Sequence, residues 1–202
     1  MKKLVLYVHG KYGTPAESEH YKPLFPDCRV IGLEYQARFP WETGKEIHEE
    51  VIRLKEEGEA ITIIANSIGA YYCMCSGIDL LIQEAFFISP VVDMENLIES
   101  LMKQVGITET ELKEKKTIRT ASGEELSWDY LNYTRTNPII WNAPTKVLYG
   151  SKDSLTSYEQ MVAFSKMHSA ELTVMEDGEH WFHTEEQMRF LDEWVQSSRL
   201  EN

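Results

Sequence analysis

The residues best placed to do chemistry gather around one serine. In the stretch ITIIANSIGAYYCMCSG, residues 61–77, the run Ile61–Ile64 is β-branched throughout, and small residues open a helical pattern at Gly69 and Ala70. Ser67 falls at the corner, with Ala65 two residues before it and Gly69 two after. A serine on a tight strand-to-helix turn projects its hydroxyl above the sheet edge. Small residues on either side let strand and helix pass closely. The first turn of the helix also supplies backbone N–H groups and a positive dipole end, which suit a developing oxyanion. The plain alternative is a helix cap, because serine is a preferred N-cap residue.

Other reactive side chains suggest less. Cys28, Cys73 and Cys75 make an odd count with no disulfide framework, and Cys73 and Cys75 lack metal-site spacing on a helix. They read as small buried side chains in a reducing, cytoplasmic protein. No metal-ligand cluster and no nucleotide-binding glycine pattern is legible, so neither metal nor cofactor is expected. A net charge of -13 disfavours nucleic acid and anionic membranes. No apolar run reaches membrane-spanning length. The N-terminal MKKLVLYVHG resembles a signal peptide only superficially: its apolar run is too short and ends in His-Gly, so it reads as the first strand.

The elements that must position Ser67 follow from periodicity. Near-continuous apolar runs occur at residues 4–8, 29–33, 61–65, 85–89, 146–149 and 171–175. That pattern suits strands buried on both faces of a parallel sheet. Amphipathic helices separate them. Ile47, Val51 and Leu54 share one face of residues 44–57, with Thr43 and Glu46 as a capping box and Gly58 as the stop. Ser157 with Gln160 and Thr184 with Gln187 open two more helices, the last with Met188, Leu191, Trp194 and Val195 on its face. Strand–helix alternation predicts an α/β fold with right-handed crossovers.

Residues 93–142 break that rhythm. An apolar stripe from Met94 to Val105 and a helix capped by Thr108 and Glu111 predict an inserted helical cap, with a turn at residues 121–123. The expected organisation is therefore a core over residues 1–92 and 143–202 with a cap at 93–142. The wide stripe at 94–105 suits burial against the core or another subunit, and oligomeric state is left open.

The stretch ANSIG, with its strand and helix, resembles the nucleophile elbow of the α/β-hydrolase superfamily, with alanine in place of the usual first glycine. The resemblance covers essentially the whole chain outside 93–142. It implies a three-layer α/β fold of six mainly parallel strands with helices on both faces. It also implies a catalytic serine, acid and base in that chain order. On it, Ser67 is the nucleophile. Asp153, in VLYGSKDSLTS after the fifth strand, is the acid. His180, in VMEDGEHWFHTEE after the sixth, is the base. HGKYGTPAE after the first strand is similar to the family's His-Gly loop, so the backbone N–H groups of Lys11 and Ile68 become the oxyanion donors. The activity implied is hydrolysis through an acyl-enzyme on Ser67.

Rivals to these residues are weighed on position. Asp93, after the fourth strand, better fits a helix N-cap. His183 directly precedes the cap Thr184, so His180 is preferred. His9 reads as a loop support, and His20, His48 and His168 as surface residues. Tyr12, Trp128, Tyr130, Trp141 and Trp181 lie near loop or cap segments. Tyr12, Trp141 and Trp181 are taken as candidate pocket residues for an apolar acyl or alkyl group, against the plain alternative of packing. The leading expectation is a serine esterase on a small or medium ester, with thioester or amide left open. The alternatives are a silent relative that binds a small ligand or a protein, and a lyase or perhydrolase using the same triad.

Overall fold

Each of the six apolar runs forms a strand. The structure, a computed structural model, describes residues 2–36, 38–121 and 123–200. The first half holds β1 (Lys2–Val8), a 3-10 segment (Pro15–Leu24), β2 (Arg29–Gly32), α1 (Pro40–Glu56), β3 (Glu59–Asn66), α2 (Ile68–Met74) and β4 (Glu84–Ile88). The chain continues through α3 (Met94–Gln104), α4 (Glu109–Lys115), β5 (Thr117–Arg119), β6 (Glu125–Ser127) and α5 (Trp128–Thr136). It ends with β7 (Thr145–Gly150), α6 (Tyr158–His168), β8 (Glu171–Met175) and α7 (Glu185–Leu200).

The main sheet runs β2-β1-β3-β4-β7-β8 with every pairing parallel, and helices cover both faces. Alternation splits the side chains between the faces. Val5, Tyr7, Ile64, Phe86, Ile88 and Leu148 enter one core with Leu191, Trp194 and Val195 of α7. Their sequence neighbours Leu6, Ile63 and Phe87 are also buried, as are Ile47, Val51 and Leu54 of α1. Chain order reverses at β1, which lies between β2 and β3. In such sheets the crevice beyond the strand C-termini at that reversal is where ligands bind. Ser67 immediately follows β3 there.

One expected helix start needs correction. Helix α1 begins a turn early, at Pro40, whose fixed φ and missing N–H suit the first helical position. Thr43 therefore lies inside the helix and is buried, so it cannot act as its cap. The capping box at Ser157 and Gln160 does form. At Thr184 only half forms: Gln187 N donates to Thr184 Oγ1 (3.2 Å), while the Gln187 side chain accepts from His183 N (3.1 Å).

Contacts divide the chain into Met1–Val92 with Ile140–Asn202, and Asp93–Ile139. The smaller unit is not purely helical. Strands β5 and β6 pair antiparallel, Ile118 opposite Leu126. Three-residue strands with one apolar residue each carry too little alternation to be read in advance. Asp93 caps α3 by accepting from Asn96 N (3.0 Å), and Thr108 caps α4 by accepting from Glu111 N (3.2 Å). The turn expected at 121–123 contains Ser122, which lies outside the described residues. Among the described residues, no helix is long and apolar enough to cross a membrane.

Candidate active site

Ser67 sits where strand β3 must turn into helix α2 without a spacer. Its backbone is at φ 53°, ψ -119°, a conformation outside the ordinary wells for a side-chain-bearing residue. Neighbouring strand ends hold it there: Ser67 N donates to Ile88 O (2.9 Å), and Ser67 O accepts from Val91 N (3.2 Å). Gly69 explains why the turn can be so tight. A Cβ at that position would lie 2.4 Å from His9 O and 2.6 Å from Val8 O, so only glycine lets α2 start against the end of β1.

The three residues expected to act together do meet. Ser67 Oγ is 2.8 Å from His180 Nε2, and His180 Nδ1 is 2.7 Å from Asp153 Oδ2. An ionised carboxylate only accepts, so Nδ1 carries the hydrogen and Nε2 offers its lone pair to the serine hydroxyl. The Asp153 side chain is fully buried and that of His180 is 17% exposed. Asp153 is itself held: Oδ1 accepts from Leu155 N (2.8 Å) and Thr156 N (3.1 Å), and Oδ2 from Thr156 Oγ1 (3.1 Å). Thr156 is the residue that sequence reading missed. Its signal was the Asp-x-x-Thr spacing, which is that of a side-chain-to-backbone turn. Tyr149, whose hydroxyl donates to Thr156 O (3.0 Å), supports that turn from behind. Burial, followed by the Asp153 charge, pushes the Tyr149 hydroxyl up and keeps it a donor.

His183 is engaged elsewhere, its Nδ1 2.7 Å from Trp181 O. His9 directly follows β1, with its ring stacked on Tyr35 at 4.1 Å, while the Tyr35 hydroxyl donates to His9 O (2.7 Å). The other three histidines have partners that the sequence did not reveal: Asp192 for His20, Ser76 O for His48 and Trp141 O for His168.

Gly10, in the loop after β1, lies against Ser67. A Cβ added to it would be 3.3 Å from the Ser67 Cβ. Lys11 follows directly, and Ile68 is the first residue of α2. Of the candidate pocket aromatics, Tyr12 (86%) and Trp181 (71%) are exposed on the loops after β1 and β8. Trp141 is not with them. It is buried before β7, with its Nε1 donating to Thr145 Oγ1 (2.7 Å) and its ring packed on Phe87. Thr145 starts β7 and Asp153 follows its other end, so Trp141 belongs to the opposite edge of the sheet.

A crevice of about 680 Å³ lined by Lys2, Lys3, Asp27, Arg29, Glu57 and Glu59 also lies at that opposite edge. Its charges pair among themselves, as in Lys3–Asp27 (3.1 Å) and Arg29–Glu59 (3.5 Å), and it holds none of Ser67, Asp153 and His180. Among the described residues, no three His, Cys, Asp or Glu side chains gather as a metal would require.

Residues 4–192 match the family described as "Uncharacterised protein family (UPF0227)". The chain belongs to that family. Among curated proteins there is no sequence match. Solved structures resemble this UPF0227 chain in fold at low identity. Est1E from Butyrivibrio proteoclasticus is 19% identical at a TM-score of 0.74, covering 99% of this chain and 88% of its own. Alpha/beta hydrolase domain-containing protein 10 from mouse is 14% identical at 0.73, covering 98% and 90%. A lipase-esterase related protein from Clostridium acetobutylicum ATCC 824 is 16% identical at 0.63, covering 96% and 93%. The UPF0227 chain thus has the α/β-hydrolase fold.

Proposed function

We propose that the chain is a serine hydrolase that cleaves small or medium carboxylic esters through an acyl-enzyme on Ser67. The carrying observation is the continuous Ser67–His180–Asp153 hydrogen-bond chain of 2.8 and 2.7 Å that ends on a buried carboxylate. In the first half-reaction, Ser67 Oγ attacks the ester carbonyl carbon while His180 Nε2 takes its proton. The carbonyl π pair moves onto oxygen. It returns as the C–O bond to the alcohol breaks, and the alcohol leaves with the proton from Nε2. Water then attacks the acyl carbon, passes a proton to Nε2 and releases the acid, and Ser67 regains its hydrogen. Asp153 keeps the imidazole in the reactive tautomer and stabilises its cation. The N–H groups of Lys11 and Ile68 stabilise the oxyanion, a reading supported by Gly10 lying against Ser67.

Thioesters and amides are open to the same machinery. Tyr12 and Trp181 are proposed to contact the acyl or alkyl group. The structure of Est1E with ferulic acid bound supports trying aromatic acids among the first esters. The insertion at 93–142 is proposed as a lid on the strength of its place in the chain. The free cysteines Cys28, Cys73 and Cys75 support a cytoplasmic setting.

The test is intact mass after treatment with a fluorophosphonate probe, on wild type and Ser67→Ala. One stoichiometric adduct that the variant lacks supports the reading. A folded wild type with no adduct turns it towards a ligand-binding protein.

A further inference from the structure

One polar chain, running from the buried Tyr7 to Glu17 at the surface, lies outside the triad and has no place in the reaction as written. The Tyr7 hydroxyl, near the C-terminal end of β1, donates to Glu17 Oε2 (2.5 Å), at the short end of charge-assisted bonds. Tyr7 pairs in register with Ile64 of β3, three residues before Ser67. Glu17 turns its other oxygen to the loop after β1, where Oε1 accepts from Thr14 N (3.0 Å). That carboxylate presses on the loop as well: a Cβ at Gly13 would be 2.9 Å from Glu17 Oε1 and 2.9 Å from the His9 Cβ. Burial, then the neighbouring Tyr21 and Glu17, pushes Tyr7 ionisation far above the ordinary phenol range. Its hydroxyl therefore stays a donor.

Glu17 and Tyr7 thus tie the loop at 10–14 to β1, whose register partner β3 leads into the turn at 66–68, some fifty positions away in sequence. We propose that Glu17 and Tyr7 are positioning residues that set the spacing between these two segments. The inference rests on the reading above that Lys11 and Ile68 donate to the oxyanion. Two backbone donors act on one oxygen only if their separation is held, and small errors in such placement are costly.

The experiment compares wild type, Tyr7→Phe, Glu17→Ala and Glu17→Gln, with Glu19→Gln as a control on the same 3-10 segment. Turnover of p-nitrophenyl acetate and amide hydrogen exchange at residues 10–14 and 66–69 are measured on each. Glu17 lies at the surface, so its variants fold even if Tyr7→Phe does not. Glu17→Ala and Tyr7→Phe should lower kcat about 10- to 100-fold with KM nearly unchanged, since the donors are displaced rather than removed. Both should speed exchange in the two segments. Glu17→Gln keeps one acceptor oxygen and should fall between, and Glu19→Gln should match wild type. Unchanged exchange in Glu17→Ala overturns the proposal, and so does faster exchange with wild-type kcat. Exchange needs no turnover. A wild type that takes no fluorophosphonate on Ser67 therefore defeats the hydrolase reading, and exchange alone then decides whether the two residues join the segments.

Discussion

Gly150 and Gly178 meet backbone to backbone. A Cβ on Gly150 would lie 2.4 Å from both C and O of Gly178 and 2.7 Å from Glu179 O. The contact is made three residues past β8 on one side and at the last residue of β7 on the other. From there the two loops run together: Lys152 N donates to Gly178 O (2.8 Å), Asp177 N to Ser151 Oγ (2.8 Å), and Lys152 pairs with Asp177 (2.7 Å). One loop carries Asp153 and the other His180. Their 2.7 Å contact is the outcome of backbone packing below them as much as of their own attraction.

Gly150→Ala should therefore act on catalysis without touching a reacting atom. The methyl has only backbone to displace, so the loops must part. A displacement near 1 Å costs on the order of 10²-fold in rate. We expect kcat on a p-nitrophenyl ester to fall by about that factor, with a lower thermal midpoint. Gly77→Ala is the contrast. That residue has φ +67° with open space around it, so alanine should cost only about 1 kcal/mol of stability and leave kcat alone. Wild-type kcat in Gly150→Ala would refute this account of the loop contact.

Asp153 and Thr156 separate charge from placement. Asp153→Asn keeps the shape but puts a donor amide opposite Nδ1, favouring the wrong imidazole tautomer. We expect kcat to drop by roughly 10³- to 10⁴-fold. Thr156→Val removes a single hydrogen bond to a buried carboxylate, worth about 1.5 kcal/mol, so roughly tenfold. Equal losses in the two variants would mean that the carboxylate only holds the loop.

The two neighbouring histidines should differ sharply. His180→Ala removes the partner of Ser67 Oγ and should abolish fluorophosphonate labelling. His183→Ala removes an exposed ring that serves its own loop, and should keep kcat within about threefold of wild type. Labelling rates of the two variants decide the assignment, and a silent His183→Ala would reverse it.

How much of this was legible beforehand follows from the physics of each residue. The six strands were readable because strands buried on both faces leave little room for polar residues. Ser67 was readable because its turn restricts the neighbours on both sides. Asp153 and His180 came from resemblance and chain order, since a lone aspartate or histidine in a loop carries no local signature. Tyr7 and Glu17 were not legible, since their pairing depends on contacts between segments and each is an ordinary residue for its own segment, whereas Thr156 carried only the short Asp-x-x-Thr spacing. Trp141 was misassigned to the pocket because proximity in sequence to the insertion says nothing about which edge of the sheet a side chain faces. The early start of α1 has a local cause, since Pro40 competes with Thr43 for the helix start and sits one turn ahead.

The last prediction concerns the unit at 93–139 by itself. Arg135 of α5 donates to Glu95 Oε1 (2.7 Å) and Glu99 Oε1 (2.7 Å) of α3, and to Glu109 of α4 (2.9 and 3.1 Å). One guanidinium thus ties three helices of the unit. The hydrogen bond from Arg135 holds the Glu109 carboxyl below its ordinary value of 4.5. A carboxylate whose folded pKa is lowered contributes stability above its unfolded pKa, and loses it as pH falls through the folded one. Arg135→Met should therefore speed amide exchange across 93–139 at neutral pH. The gap from wild type should close as pH drops below 4.5 and Glu109 takes up a proton. High salt should narrow the gap too, because these carboxylates are solvent-accessible. A gap of the same size at neutral pH and near pH 3 would show that Arg135 holds the helices by packing its stem rather than by charge.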